Sequence, residues 1–354
     1  MDSITQAALG AAVGGAVLGR RLGRKAVLIG AALGTLPDLD VMLDYGDAVA
    51  NYTEHRGFSH SLFVLTGLGT LLALLAARFA PARDIPLRHW WLFFVLCLTT
   101  HPLLDALTTY GTQLWWPLDV RPSAWPIVFI IDPLYTLPLL VGIVLALVSG
   151  NGRRAPAWGL ALSSLYLVLA FGAKSLVEYR LGPELAERGL ADAPRLVQPT
   201  PFNTLLWRVT VIDGDDQHEA LVSVFDGRTP IEFERFSRGA QWEPAALASA
   251  NGARLDWFAG PYLRYDVELV DDLPILTATD LRLGFPGFHP FTFTLLEADL
   301  DAGQWHPLAS EQRETPPRAN GEALALLGQR ILDPEAPLCL GELVDERWHE
   351  EVSC

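Results

Sequence analysis

The chain has 354 residues, 50% of them hydrophobic and 19% charged, with a formal net charge of −15. A mean hydropathy of +0.24 is high for a water-soluble enzyme and excludes a disordered or fibrous chain. Residues 1–179 carry 12 Lys and Arg against 11 Asp and Glu, whereas residues 180–354 carry 14 against 30, which excludes the clustered basic surface that nucleic-acid binding needs.

Six apolar segments are predicted in the first half, over residues 4–19, 25–36, 62–80, 89–107, 127–149 and 155–173. A helix needs about 20 apolar residues to cross a hydrocarbon core. The first two fall short, and are expected either to tuck against the others or to form a hairpin that does not fully cross. Six such runs leave almost no polar face for water, so residues 1–179 read as an α-helical integral membrane domain rather than a soluble core. Gly10-x-x-x-Gly14, Gly15-x-x-x-Gly19 and Gly30-x-x-x-Gly34 suit close helix packing in lipid.

Basic residues set the expected orientation. Arg20, Arg21, Arg24 and Lys25 follow the first segment, Arg78, Arg83 and Arg88 lie between the third and fourth, and Arg153 and Arg154 lie between the fifth and sixth. By the positive-inside rule these connections are cytoplasmic, and the N-terminus and residues 180–354 lie outside. No basic residue precedes the first segment, so it does not read as a signal peptide.

The acidic second half, residues 180–354, is expected to be an extracytoplasmic α+β domain with an antiparallel sheet. After a polar helical stretch to about residue 190, strands are predicted over 205–212, 220–225, 230–236, 263–270, 275–283 and 291–297, and helices over 244–250 and 321–332. Gly214-Asp215 and Asp226-Gly227 are turn signals. His218-Glu219 opens a metalloprotease-like pattern, but position 222 is Val rather than His, which excludes a zinc-protease site. His289, His306 and His349 are isolated and read as structural or solvated. Cys97 belongs to an apolar run, and Cys339 and Cys354 would pair on an oxidising side.

Ionisable groups in a membrane domain are costly and therefore functional suspects. Here they fall in four clusters: Asp38 and Asp40 after the second segment, His55, Arg56 and His60 before the third, His101 and Asp105 late in the fourth, and Asp132 at the start of the fifth. The expected topology places all four at the outer face. His101 and Asp105, four residues apart, share one helix face. Neutral imidazoles with charge-offsetting carboxylates suit a divalent ion, with zinc favoured and manganese or iron allowed. The metal ligands are expected to be Asp38, Asp40, His60, His101 and Asp105. Taken singly, each cluster has a plainer reading: Asp38 and Asp40 as helix caps, His55 and Arg56 as a solvated loop, His101 as a buried His bonded to a carbonyl.

Met1-Asp2-Ser3-Ile4-Thr5-Gln6-Ala7-Ala8-Leu9-Gly10, Leu36-Pro37-Asp38-Leu39-Asp40, His55-Arg56-Gly57-x-Ser59-His60-Ser61 and His101-Pro102-Leu103-Leu104-Asp105 resemble the membrane-bound, YdjM-like metal-dependent hydrolases over about residues 1–150. The resemblance implies a multi-pass bacterial inner-membrane protein with metal-dependent hydrolase activity. Members of that family carry His where this chain has Gln6, which removes one ligand or supporting group.

The expected activity is therefore hydrolysis at the outer face of the inner membrane, on a phosphoester or lipid-like substrate among the membrane lipids. His55 would act as general acid or base, or as a ligand, and Arg56 would stabilise charge on a phosphoryl oxygen. A transporter or channel is the first alternative, but its ionisable groups belong near the midplane, in two related halves. A non-catalytic membrane scaffold with a structural metal is the second.

Overall fold

The computed structural model describes residues 1–80, 84–149, 154–286, 288–299, 304–313, 321–336 and 338–342. The chain divides into two compact units. The first comprises Met1–Leu43, Glu54–Gly172 and Pro201–Asn203, and the second Asp44–Thr53, Ala173–Thr200 and Thr204–Cys354.

The first unit is helical. Helix α1 (Ser3–Leu22) starts at Asp2, whose side chain caps the amides of Ile4 and Thr5. Gly23 turns the chain into α2 (Arg24–Thr35) with φ at 58°, a left-handed value that a side chain would strain. The two helices meet backbone to backbone. A Cβ built on Gly10 would lie 2.3 Å from the Gly30 carbonyl oxygen, and one built on Gly34 would lie 2.5 Å from that of Gln6. Only glycine permits this approach, and the two helices, joined as a hairpin, also pack against α5.

A short 3-10 turn, Pro37–Met42, follows α2. Helix α3 (Ala48–Glu54) comes next, then a second 3-10 turn at Phe58–His60. Helices α4 (Leu62–Phe79), α5 (Leu87–Asp105), α6 (Pro133–Ser149) and α7 (Arg154–Glu187) complete the helical set. Phe93, Cys97, Leu98, Leu104 and Leu139 are fully or nearly fully buried with Ala12 and Leu18 of α1 in one core.

Six helices occupy the six predicted segments, but six spans is a correction. Among the described residues only α4 and α7 are long and apolar enough to cross a membrane, and α6 is a shorter apolar helix. The reason is physical. At 12 residues α2 extends only about 18 Å. Helices α1 and α5 bury a polar face, with Thr5 and Gln6 on one and Thr99, His101 and Asp105 on the other. That face lowers their hydropathy while serving the site below. Arg83 and Arg153 lie outside the described residues.

Helix α7 runs unbroken for 34 residues, about 51 Å. The expected boundary at 179/180 therefore falls inside one helix. Its later turns place Val177, Leu181 and Leu185 at four-residue spacing into the core of the second unit, with Trp207, Val209 and Val222.

Among its described residues the second unit contains two four-stranded antiparallel sheets rather than one sheet. The first joins β1 (Arg195–Pro199), β2 (Leu206–Asp213), β3 (Asp216–Ser223) and β4 (Glu234–Ser237) in chain order. Helices α8 (Glu243–Leu247) and α9 (Ala250–Ala259) follow. The second sheet joins β5 (Leu263–Val270), β6 (Leu273–Asp280), β7 (Thr292–Asp299) and β8 (Gln304–Pro307), and α10 (Gly321–Leu332) comes after it. Buried charge is paired: Arg208 makes a bidentate contact with Glu219 at 2.7 and 2.8 Å. The α3 segment belongs to this unit. Tyr52 packs against Phe258, Phe291 and Phe293 and donates to Asp280 at 2.9 Å.

Candidate metal centre

Four side chains converge in the first unit. One ligand atom each from Asp38, His60, His101 and Asp105 lies within 4.8 Å of every other. Asp38 stands in the 3-10 turn after α2, His60 ends the turn before α4, and His101 and Asp105 occupy the last turn of α5. His60, His101 and Asp105 are buried, and Asp38 is partly open, with its side chain 21% exposed.

The protein around the site fixes which imidazole nitrogens face inward. His101 Nδ1 lies 2.5 Å from the Gly34 carbonyl, an acceptor, so Nδ1 carries the proton. The glycine contact between α1 and α2 thus also places the carbonyl that orients His101. His60 Nδ1 lies 2.8 Å from Ser59 Oγ, which donates to Asp40 Oδ2 at 2.7 Å. The Ser59 proton being committed to a carboxylate, His60 Nδ1 must also donate. In the neutral rings both Nε2 atoms therefore present lone pairs inward, 3.1 Å apart.

The two carboxylates complete the shell. Asp38 Oδ1 lies 3.4 Å from His60 Nε2 and 3.2 Å from His101 Nε2, and Asp105 Oδ2 lies 3.4 and 3.5 Å from the same atoms. A tetrahedral ion at zinc–nitrogen and zinc–oxygen distances of ~2.0–2.1 Å requires edges of ~3.3–3.4 Å. Five edges from 3.1 to 3.5 Å fit such an ion. Asp105 Oδ2 is buried and makes no hydrogen bond of good geometry; Arg56 Nε stands 3.2 Å from it, and it remains open to a further cation. Burial disfavours the charged form of Asp38, but its contacts with His101 and His60 outweigh this and hold its carboxyl well below the usual range.

The other oxygen of Asp105 is held by the protein. Asp105 Oδ1 accepts from Gln6 Nε2 at 2.7 Å and from the Met1 nitrogen. Gln6 also reaches the His101 carbonyl at 3.3 Å, so it supports two members of the four-residue group without joining it.

Asp40 stands beside the four-residue group and not within it. It accepts from His55 Nδ1 at 3.0 Å, from the Arg56 amide at 2.9 Å and from Ser59. Its carboxyl is also held below the usual range; burial opposes this, and the His55 hydrogen bond is the largest favourable cause. His55 is partly open, its side chain 26% exposed. Arg56 is buried, with Nε 3.2 Å from Asp105 Oδ2 and its guanidinium 5.0 Å from the centre of the Tyr110 ring. Its φ of 62° is costly for a residue with a side chain, and the Asp40 contact helps to hold it. Asp132 belongs elsewhere: it caps α6 through the amides of Leu134 and Tyr135 and accepts from Tyr166 at 2.8 Å. Ser59 and the Gly34 carbonyl are supporting groups that the sequence reading missed; only the position of Ser59 beside His60 gave a signal.

Comparisons with known proteins bear on this unit most. The uncharacterized protein YfhP of Bacillus subtilis (strain 168) is 23% identical over 277 residues, covering 75% of this chain and 80% of that protein. Inner membrane protein YbcI of Escherichia coli (strain K12) is 33% identical over 114 residues, covering 32% of this chain and 64% of that protein. Neither name states an activity. No solved structure matches. The YdjM inner membrane protein family matches residues 1–177, the stretch that carries Asp38, His60, His101 and Asp105, and the chain belongs to that family.

Proposed function

We propose that the chain is a metal-dependent hydrolase of the inner membrane, acting at its outer face on a phosphoester or other ester of a lipid-like substrate. One observation carries the reading. Two imidazole lone pairs and two carboxylate oxygens point at one position, at the edge lengths of a tetrahedral ion. Two carboxylates face two imidazoles in a largely buried site, and a metal ion there would add to the charge compensation that Arg56 and the Met1 nitrogen give Asp105. Asp38, His60, His101 and Asp105 would hold the ion, and zinc suits the two-nitrogen, two-oxygen donor set better than manganese or iron. Such an ion supplies Lewis acidity and lowers the pKa of bound water toward about 7.

The remaining residues have roles of their own. Asp40 holds His55 by Nδ1, leaving Nε2 of this partly exposed ring to take up and return a proton. Arg56 offsets the charge of Asp105 and adds positive potential for an anionic substrate. Asp38 is the most open of the four residues that would hold the ion, so the site is reached from its side. The multi-pass topology with residues 180–354 outside rests on the Lys and Arg pattern, and the disulfide-bonded state of Cys339 supports an oxidising compartment. Cys354 lies outside the described residues.

A second reading is a scaffold with a structural metal. Four protein ligands at tetrahedral spacing favour it, because structural zinc shells are closed. Metal analysis of the detergent-purified chain separates the readings when joined to a screen of phosphoester and carboxyester substrates before and after chelation. Turnover lost on chelation and restored by zinc supports the hydrolase. Stoichiometric metal with no turnover on any substrate favours the scaffold, and a metal-free protein overturns both.

A further inference from the structure

The loop between α5 and α6 is ordered by its own hydrogen bonds. Thr112 and Ser123 bond to each other through both backbone amides at 3.0 and 2.8 Å, and the Trp125 amide donates to the Ala106 carbonyl at 2.7 Å. Yet the loop presents a large apolar surface. Trp115, Trp116, Leu118, Val120 and Trp125 are all exposed, at 38–58%. An ordered loop in water has no reason to display three tryptophans, and exposed apolar side chains gathered on one short loop mark an interaction surface.

Two relations say what covers it. The patch continues onto α4, a candidate membrane span: Trp115 lies 6.3 Å, ring centre to ring centre, from Phe63 in the first turn of that helix. Farther along, Leu71, Leu74 and Phe79 of α4 are exposed as a lipid-facing surface would be. The loop therefore sits at one end of a span, while Arg78 marks the other end, about 27 Å away along 18 residues. Tryptophan is enriched at that depth, where its ring lies among headgroups and chain ends. The loop carries one charge of each sign, Asp119 and Arg121, and so offers no basic cluster that would select anionic lipid.

The loop is also joined to the metal centre. Leu62 donates to the Leu114 carbonyl at 2.9 Å, Ser61 Oγ to the Trp116 carbonyl at 2.6 Å, and Gln113 to the Arg56 carbonyl at 3.0 Å. These three bonds bracket His60. We propose that residues 112–125 form a platform seated in the headgroup layer of the bilayer, which fixes the four-ligand centre at the depth of lipid headgroups. The platform is independent of whether the centre turns over a substrate. If it does, the substrate is an amphiphile whose head reaches the centre while its chains remain in lipid, a consequence that rests on the hydrolase reading.

The test places an environment-sensitive bimane label at Leu118→Cys in the full chain, reconstituted in phosphatidylethanolamine–phosphatidylglycerol vesicles. A label at Leu269→Cys, exposed in the second unit, is the reference. The platform predicts a blue-shifted emission at position 118, quenched by lipids brominated near the glycerol end of the chain and little affected by iodide, with the reverse at position 269. Quenching by iodide and not by bromolipid at position 118 overturns it. So does protection from both quenchers, which would mean that protein covers the loop. Should Leu118→Cys fail to fold, intrinsic fluorescence decides: Trp115→Phe with Trp116→Phe must remove a bromolipid-quenched component, and an unchanged quenching profile overturns the proposal. None of these readouts involves metal or hydrolysis, so a failed substrate screen leaves the result standing.

Discussion

His60 Nε2 and His101 Nε2 lie 3.1 Å apart, and each ring has already committed its Nδ1 proton to an oxygen. With both rings neutral, neither has a proton to place between the two nitrogens. Asp38 and Asp105 bring negative charge to the same point. A bound cation would offset that charge, as Arg56 does in part for Asp105.

The first prediction follows from that arrangement. Replacing His101 or Asp105 by Ala removes one corner of the shell, and the purified protein should lose its stoichiometric metal while remaining in the membrane. His306→Ala, an exposed site in the second unit, should leave metal content unchanged. Elemental analysis of the three purified variants decides, and a metal-replete His101→Ala protein refutes the ligand set.

Asp40 supports a graded prediction, because it acts on the shell through Ser59 and on His55 directly. Ser59→Ala or Asp40→Asn should weaken metal affinity by roughly 10–100-fold without abolishing binding, the usual cost of losing a supporting partner. Competition with a chromophoric chelator measures this. If Asp40 were itself a ligand, Asp40→Asn would instead match His101→Ala.

Much of this was legible in the sequence, and the rest was hidden for identifiable reasons. The apolar runs of α4 and α7 and the alternating strands β2, β3, β5, β6 and β7 announce themselves by composition and period. Strands β1 and β8 do not, having five and four residues. The α3 segment could not be assigned to the second unit because the aromatic partners of Tyr52 lie more than 200 residues away. Asp38 and Asp40 looked equivalent in sequence. In a turn of about three residues, positions two apart point in different directions, so one meets His101 and the other meets His55. Likewise, the Gly34 carbonyl became a site group only through packing of α2.

That packing gives a third prediction. A Cβ at Gly34 would meet the Gln6 carbonyl at 2.5 Å, and backbone cannot rotate away as a flexible side chain does. Gly34→Ala should force α1 and α2 apart at a cost of about 1–3 kcal/mol and displace the carbonyl that orients His101. Thermal unfolding in detergent and metal content should therefore fall together. Gly67→Ala on α4, where nothing lies within 4 Å of the added atom, should change neither. A Gly34→Ala protein with wild-type stability and metal would show that the helices need not touch.

The last prediction concerns acid stability of the second unit. His289 is buried, and its Nδ1 donates to the Leu283 carbonyl at 2.7 Å. Burial first, then the nearby charge of Arg208, pushes its pKa well below the ordinary value near 6.5. The sign follows from proton counting. Below about pH 6.5 the unfolded chain takes up a proton at this histidine and the folded unit does not, so the unfolded state binds more protons and stability rises with pH. The contribution is complete above pH 6.5 and is lost as pH falls toward the depressed folded pKa, at up to about 1.4 kcal/mol per unit. Hydrogen exchange of strands β5, β6 and β7 in the full chain, followed from pH 7.5 to 5 with intrinsic rates corrected, should show protection falling in that window. His289→Gln cannot take up the proton and should flatten the slope, even if it lowers stability at every pH. An unchanged slope in that variant would assign the acid sensitivity to other groups, and protection that rises on acidification would refute the sign.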